Sequence, residues 1–413
     1  ARILDLISNL NNEIYVGGFV FYNSGDNLST SGAHKTSNLD FSSDGLILKF
    51  NANGQQIWGT LFGGVANESI NTLSLDKEEN LIIAGETNSE DGIATSGEFQ
   101  VINNDPFDGC GFFAKFSPEG NRISGSYFPG KVRYSVIDKS NNLILAGQYQ
   151  ILDSDQPEIS TPGAHQTQIY FMDGFIVKFN ATGQRLWCTY YGGNPSFFIS
   201  VNDYYDRITG LGVDDSDNIY IAGITNSNNN ISTFGAFKEN QSTGGVDAFI
   251  AKFNFNGVRQ WGTYYGSEEF QGVDKCESSF TSKNGDTYIT GNTRSQTSIA
   301  TAGSFQSSSA GSDEGFISKF DTSGKLSWGT YYGGSFQDFI KNIYYKNGNI
   351  YIIGTTAGSS NFGTSGTEYP TLAGGNTFIA KFQDCLSNPL ASSNSPVCIG
   401  NTLELKASGG TNY

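Results

Sequence analysis

The chain has 413 residues, and its 40 Asp and Glu outnumber its 24 Lys and Arg, which gives a formal net charge of −16. A surface this acidic repels phosphate groups and argues against a nucleic-acid partner. With 52 Gly, 14% aromatic and only 15% charged residues, the composition is typical of an all-β protein with many tight turns. No apolar run is long enough to predict a transmembrane helix.

Three phrases recur along the chain, always in the same order. The first is a polar turn and a strand that ends in glycine, as in LDKEENLIIAG up to Gly85 and VDDSDNIYIAG up to Gly223. The second is a connector, such as TSGAHKT from Thr30 and TFGAFKE from Thr233. The third is an alternating strand, a turn and a returning strand, as in DGFIVKFNATGQRLWCTYYGG. Such ordered self-similarity indicates a repeat architecture.

A Lys-Phe pair marks the third phrase of each unit and gives six units with a period of about 65 residues. These lysines are Lys49, Lys115, Lys178, Lys252, Lys319 and Lys381. Each unit predicts two hairpins, because turns rich in Asn, Asp and Gly separate short alternating strands. We therefore predict an all-β fold, a β-propeller over residues 1–383 with six visible blades of four antiparallel strands, seven being possible. The sixth unit lacks its fourth strand, so this blade either stays three-stranded or is completed from elsewhere.

All the tryptophans of the chain lie in the returning strand of the third phrase, at Trp58, Trp187, Trp261 and Trp328. Alternation along that strand favours a structural role, with the rings filling the widening gap between blades. An exposed aromatic ladder for a ligand is the alternative. The lysines of the same phrase are expected at a blade edge or between blades, paired with acids that open the same strand, such as Asp173 or Asp247.

Few residues suggest catalysis or metal binding. His34 and His165 occupy a connector position that holds Phe in other units, which favours packing over acid–base or metal chemistry. The acidic turn VDDSDN lacks the spacing of a calcium loop. We therefore predict no catalytic residues, no metal and no cofactor.

The link between the third and fourth units, NPSFFISVNDYYDRITG, is longer than its counterparts. Insertions in repeat proteins map to loops on one face, and such loops commonly bind partners. Aromatic residues with a few charges are typical of interfaces, and a loop packed on itself over the ring is the alternative. The candidate binding residues are Phe197, Phe198, Asp203, Tyr204, Tyr205 and Arg207.

Together the three phrases resemble the SBBP-type bacterial β-propeller repeat from Ala1 to about Phe382. The fourth unit matches best, with VDDSDNIYIAG, TFGAFKE, DAFIAKFNFNG and WGTYYGS, whereas Ser124 and Glu368 depart from the pattern. The resemblance implies a protein of Bacteroidota exported to the cell surface as cargo of the type IX secretion system. Several proteins of this kind serve in adhesion or gliding motility.

The tail differs in composition. We predict a linker over 384–396 and the truncated start of an Ig-like or PKD-like module over 397–413. Cys398 resembles the first cysteine of an Ig-like bridge whose partner would follow Tyr413, and a Cys385–Cys398 disulfide is the alternative.

The expected function is that of a non-enzymatic, secreted or surface-exposed propeller that binds a protein partner or mediates adhesion. A glycan-binding, lectin-like propeller is the alternative. A hydrolase or lyase propeller is less favoured, because no irregular cluster of Asp, Glu and His interrupts the repeat.

Overall fold

The computed structural model describes residues 1–21, 28–37, 41–150, 158–170, 172–195, 206–242, 245–268, 272–357, 376–384, 390–393 and 405–408. These residues form five four-stranded antiparallel sheets, one three-stranded sheet and one two-stranded sheet. The described residues contain no helix. The predicted all-β propeller with six blades is therefore confirmed, and its sixth blade has three strands.

Consecutive strands build each blade. Blade 1 contains β1 (Arg2–Ser8), β2 (Ile14–Phe21), β3 (Ser43–Phe50) and β4 (Gln56–Phe62). Blade 2 contains β5 (Glu68–Leu75), β6 (Leu81–Thr87), β7 (Cys110–Phe116) and β8 (Arg122–Phe128). Blade 3 contains β9 (Lys131–Ile137), β10 (Leu143–Gln150), β11 (Met172–Phe179) and β12 (Arg185–Tyr191).

Blade 4 contains β13 (Arg207–Val213), β14 (Ile219–Thr225), β15 (Asp247–Phe253) and β16 (Arg259–Tyr265). Blade 5 contains β17 (Asp274–Thr281), β18 (Thr287–Thr293), β19 (Glu314–Phe320) and β20 (Leu326–Tyr332). Blade 6 contains β21 (Asp338–Lys346), β22 (Asn349–Thr356) and β23 (Asn376–Gln383).

The glycine that ends the first phrase is required for a steric reason. Gly223 of β14 pairs with Ile208 at a bulge in β13. A Cβ atom at Gly223 would clash with the carbonyl oxygen of Arg207. Only glycine lets the two backbones approach this closely, so the bulge recurs where the glycine recurs.

The core lies between blades, because each sheet is apolar on both faces. Between blades 3 and 4, Ile144 and Ile176 pack with Ile208, Ile221 and Phe249 in one fully buried cluster. Burying a side chain of this size contributes roughly 1.5–3 kcal/mol. The first strand of each later blade supplies much of the contact with the blade before it.

In blades 1 to 5, the connector runs along the outer edge of the fourth strand. In blade 3, the Thr161 amide donates to the Cys188 carbonyl at 2.9 Å, and the Tyr190 amide donates to the Gln166 carbonyl at 3.2 Å. The TxGA phrase thus covers backbone groups that an exposed edge strand would leave free for unwanted pairing.

In the tail, β24 (Leu390–Ser393) pairs antiparallel with β25 (Leu405–Ser408). This hairpin joins residues of the predicted linker, 384–396, to residues of the predicted module, 397–413. Cys385 and Cys398 lie outside the described residues, so their pairing stays a prediction.

Candidate functional site

Most of the predicted binding link lies outside the described residues, including Phe197, Phe198, Asp203, Tyr204 and Tyr205. Arg207 is described and is half-buried at the start of β13. The neighbouring Asp206 is 2% exposed and belongs to the interior. The link therefore joins the propeller at a buried carboxylate, and the binding role of its aromatic residues remains a prediction.

Asp206 forms an acidic pair with Asp173, which opens the third strand of the preceding blade. Both carboxylates face Gly192, where a Cβ atom would contact each of them. Asp206 accepts hydrogen bonds from the Gly193 amide at 2.9 Å and the Ser227 hydroxyl at 2.7 Å. Burial raises the pKa of both aspartates, and the negative charge of Asp206 raises that of Asp173 further. The pair is therefore built to hold a proton.

The Gln166 side chain forms a hydrogen bond with Asp173, the other aspartate of the pair. Its amide donates to Asp173 at 2.6 Å, and its side-chain oxygen accepts from the Gly192 amide at 2.9 Å. Gln166 is the last residue of the connector phrase TPGAHQ, a position that holds Lys or Gln in the first five units. The connector thus supplies the polar partner of the acid that opens the third strand.

The same arrangement recurs at three other interfaces between blades. Lys35 pairs with Asp44 at 2.8 Å and Lys238 with Asp247 at 2.8 Å, while Gln306 donates to Glu314 at 2.9 Å. The facing acid on the next blade accepts from a backbone amide of the intervening link each time. These facing acids are Glu68, Asp274 and Asp338.

The interface between blades 2 and 3 lacks the acidic pair, because β7 opens with Cys110 where the third strands of blades 1, 3, 4 and 5 have Asp or Glu. The sequence carried a signal for this arrangement: an acid before the third strand recurs with a Lys or Gln in the connector. At least one oxygen of each of these carboxylates accepts from a hydroxyl, amide or ammonium donor, so the pairs serve as polar contacts between blades.

The predicted partners of the repeated lysines are wrong. Lys178 pairs with Asp138 at 2.7 Å, and both side chains are buried. Asp138 lies in the turn between the first two strands, not at the start of the lysine's own strand. A lysine near the end of a strand lies roughly 17 Å from the first residue of that strand, at about 3.3 Å per residue, so Asp173 is out of reach.

Three other lysines follow the same rule and pair with acids of the first turn of their own blades. The pairs are Lys49 with Glu13 at 3.0 Å, Lys115 with Asp76 at 2.6 Å and Lys319 with Asp286 at 3.1 Å. Lys252 instead lies over the Tyr220 ring, 5.1 Å from the ring centroid.

The tryptophans join neighbouring blades. Trp58 is buried, whereas Trp187, Trp261 and Trp328 are half-buried. The Trp58 indole Nε1 donates to the Pro118 carbonyl of blade 2 at 2.9 Å, and that of Trp187 donates to the Phe255 carbonyl of blade 4 at 3.2 Å. The rings of Trp58, Trp187 and Trp261 thus lie against the last turn of the next blade.

The histidines pack against aromatic rings of two blades. His34 contacts Phe62 and Phe116, and His165 contacts Tyr191 and Phe253. Burial lowers the pKa of His165 to about 4, with the charge of Arg259 acting in the same direction. In the described part of the chain, no group of three or more His, Cys, Asp or Glu is placed to hold a metal ion.

Exposed aromatic side chains concentrate on the connectors and links. Among the described residues, seven exposed rings lie there, those of Phe41, Phe107, Tyr170, Phe234, Phe237, Phe305 and Phe336. The exposed rings of Phe21 and Tyr344 lie instead on strands. At the opposite end of the blades, the exposed aromatic residue in the described hairpin turns is Phe255. We call the connectors between second and third strands, with the links between blades, the connector surface. A concentration of exposed rings on one surface is typical of an interaction site.

No protein-family model matches the chain, and no curated protein matches it. Solved structures do resemble it: a protein of unknown function from Dyadobacter fermentans is 9% identical over 91% of this chain and 93% of its own, with a TM-score of 0.42. YCF48 bound to a D1 peptide is 10% identical, covers 86% and 76%, and has a TM-score of 0.40. A gluconolactonase from Xanthomonas campestris is 9% identical, covers 84% and 88%, and has a TM-score of 0.33.

These similarities concern strand architecture and carry no conclusion about activity or partners. The resemblance to the SBBP-type repeat stays a prediction. None of the described segments is a helix with the length and apolar character needed to cross a membrane.

Proposed function

We propose that this propeller is a non-enzymatic scaffold that binds a protein partner through its connector surface. The observation that carries the proposal is the concentration of exposed rings on that surface. Phe234 is fully exposed and Phe107 is 96% exposed. Aromatic residues recur among the residues that dominate binding energies, and leaving them in water has no benefit for folding.

The remaining architecture supports a scaffold. Blades joined by apolar packing and polar contacts hold the connectors on a rigid frame, and loops on such frames commonly carry function. We extend the proposal to the long link after blade 3, with Phe197, Phe198, Tyr204 and Tyr205 adding to the same surface.

We further propose, from the resemblance of the repeat alone, that the protein acts outside the cell. It would be a cell-surface or secreted protein of Bacteroidota, a substrate of the type IX secretion system, with a role in adhesion or gliding motility. Immunolabelling of intact cells, with and without a functional type IX system, tests this part separately.

Binding to detergent-solubilised surface proteins of such a bacterium tests the connector surface. The double variant Phe107→Ser/Phe234→Ser should lose captured partners by about tenfold or more, since each exposed ring can contribute more than 1 kcal/mol. Leu10→Ser/Phe255→Ser is the matched control, because these exposed side chains lie in hairpin turns. Equal losses in both variants, or no loss in either, would contradict the proposal. Capture of glycans on an array, with no protein captured, would favour the lectin-like alternative.

A further inference from the structure

The first strand of each blade lies at the axis of the propeller. In every blade the first strand is an edge of its sheet, and β9, β13, β17 and β21 contact one another in turn. Since each of these strands begins directly after a link between blades, its first residues lie at the connector surface. The starts of the first strands therefore surround the axial opening on that surface.

One position at these strand starts is held alike in all six blades. Its carbonyl oxygen lies where a Cβ atom on the glycine of the neighbouring second strand would clash. The residues at this position are Arg2, Ser69, Lys131, Arg207, Lys275 and Phe339. Two further cations follow two residues later, in blades 3 and 6. Blades 3 to 6 thus contribute five cations, which we call the basic arc: Lys131, Arg133, Arg207, Lys275 and Lys341.

The basic arc reaches solvent, and members from different blades lie close together. Arg133 and Lys341 are exposed, and Lys131 is half-buried. Burial raises the pKa of Tyr134 to about 12, and the charges of Arg207 and Arg133 act against this rise. Both cations are therefore within electrostatic range of the Tyr134 hydroxyl, although they belong to neighbouring blades.

Two acids contact the basic arc, and each has its partners. Glu86 pairs with Arg133 at 2.7 Å. Glu277 lies 3.8 Å from Lys341 and accepts a hydrogen bond from the Asn292 side chain at 3.3 Å. Five cations against these two acids leave a surplus of positive charge at the opening, in a chain whose formal net charge is −16.

The acids that precede the arc in sequence face away from it. Asp206 and Asp274 come directly before Arg207 and Lys275, and alternation along the strand turns their side chains into the interfaces between blades. Asp206 is 2% exposed and Asp274 is fully buried. Their carboxylates accept hydrogen bonds from hydroxyl and amide groups of those interfaces. The arc thus presents cations, and not these acids, at the opening.

Lys131 and Lys275 differ from the lysines that stabilise the blades. Lys35, Lys178 and Lys238 pair with acids at 2.7–2.8 Å. The ammonium groups of Lys131 and Lys275 form no ion pair with any described residue. Neither charge has a described folding partner, so both can contact a ligand.

We propose that the basic arc binds a carboxylate-rich polypeptide segment of the protein partner. The inference rests on the proposed function, because the arc lies at the centre of the connector surface, and it names the chemistry of the partner. Asp or Glu side chains along the segment accept from the ammonium and guanidinium groups of blades 3 to 6. Hydrogen bonds between charged groups are among the stronger ones, and an opening lined by one sign of charge raises the local concentration of ligands of the opposite sign.

The distribution of charge favours a short segment with several carboxylates. The cations are spread over four blades, which suits successive acidic side chains better than one small anion. A nucleic acid would extend beyond the arc onto the acidic remainder of the surface, which repels phosphate groups. A short acidic segment on a folded partner brings its charge to the arc alone.

A labelled octaglutamate peptide is the probe, and fluorescence anisotropy against the full chain at low ionic strength is the measurement. We expect saturable binding that weakens as salt is added, because salt screens charges at a surface. Lys131→Met/Lys275→Met should bind at least about tenfold more weakly, since it removes two charged contacts and keeps the apolar stems. Lys77→Met/Lys283→Met is the matched control and should bind as tightly as the unaltered chain. It changes the net charge equally, at exposed lysines in the first turns of blades 2 and 5.

Circular dichroism and thermal unfolding check that both double variants fold. If the variant of the arc does not fold, hydrogen exchange of the unaltered chain decides. Octaglutamate should then slow the amides that begin β9 and β17 and leave those of the first turns unchanged. Absence of saturable binding, or equal weakening in both double variants, would overturn the inference.

Two further outcomes separate this inference from its alternatives. Equally tight binding of an oligothymidylate of the same length, or competition by millimolar inorganic phosphate, would overturn it, because the arc would then recognise phosphate groups. Partner capture that depends on Phe107 and Phe234, without octaglutamate binding, would contradict this inference and leave the proposed function standing. Octaglutamate binding without that dependence would support the arc and contradict the role of the exposed rings.

Discussion

Glu68 is a buried acid whose charge state changes near neutral pH. Burial raises its pKa to about 7, and the Asp44 charge acts in the same direction, against hydrogen bonds from Ser89 and Thr87. Because the folded pKa exceeds the unfolded value of 4.5, the stability linked to this proton is full below the unfolded pKa. It is lost as the pH rises through the folded pKa.

We therefore expect the free energy of unfolding to fall between about pH 5 and pH 7, by at most about 1.4 kcal/mol per pH unit from this residue. Glu68→Gln keeps an acceptor for the Thr87 hydroxyl and removes the titration, so it should flatten this slope. Urea unfolding at several pH values measures the effect. Burial raises the pKa of Asp274 to about 6. Asp274→Asn should therefore flatten the slope of the free energy of unfolding over a narrower pH range. An unchanged slope in both variants would contradict the assignment.

The Lys178–Asp138 pair tests how much a buried ion pair contributes to the free energy of unfolding. Both side chains are almost fully buried, 2.7 Å apart. Removing one partner leaves a buried charge unpaired, so Lys178→Met should lower the free energy of unfolding by about 3–5 kcal/mol. Lys139→Met is the control, because the Lys139–Asp215 pair is exposed and such pairs contribute about 0–1 kcal/mol. Chemical denaturation of both variants gives the comparison, and similar losses would show that burial is not the cause.

At the scale of single elements, the fourth strand carries the contact between blades through its tryptophan. Trp58→Ala removes a buried ring and should destabilise the chain by about 3–5 kcal/mol. Trp58→Phe keeps most of the apolar contact and loses the hydrogen bond to Pro118, so its cost should be nearer 1 kcal/mol. Thermal unfolding ranks the two variants, and Ile57→Ala is the control, because the adjacent Ile57 faces solvent. Equal losses for Trp58→Ala and Ile57→Ala would show that the ring does not join the blades.

The strands themselves were predictable from the sequence, because their determinants are local. Side-chain alternation determines which residues of β11 lie on each face of the sheet. Gly223 is required because two backbones approach closely there, and the same glycine recurs in the other units. The partner of Lys178 was not predictable, since strand length and turn geometry decide which acid it reaches. The Asp173–Asp206 pair joins different blades, and only the assembled ring brings these carboxylates together.

At the scale of the whole molecule, the blades differ in how many of their faces are packed. Blades 2 to 5 have a neighbour on each side, whereas blades 1 and 6 pack fully on one side only. In repeat proteins stability is approximately a sum of unit and interface contributions. Blades 1 and 6 should therefore open more readily than blades 3 and 4.

Native-state hydrogen exchange measures this difference directly. Amides of β22 in blade 6 should exchange at least about tenfold faster than the equivalent amides of β10 in blade 3 and β14 in blade 4, because losing one interface of a few kcal/mol lowers the cost of local opening. Second strands are the fair comparison, since each is hydrogen-bonded on both sides within its own sheet. Ile353→Thr replaces an exposed side chain and should leave the exchange of β22 nearly unchanged, whereas Ile352→Thr, at a buried position facing blade 5, should accelerate it. Uniform exchange across the blades would mean that the propeller opens as a single cooperative unit and that the one-sided packing of blades 1 and 6 has no energetic consequence.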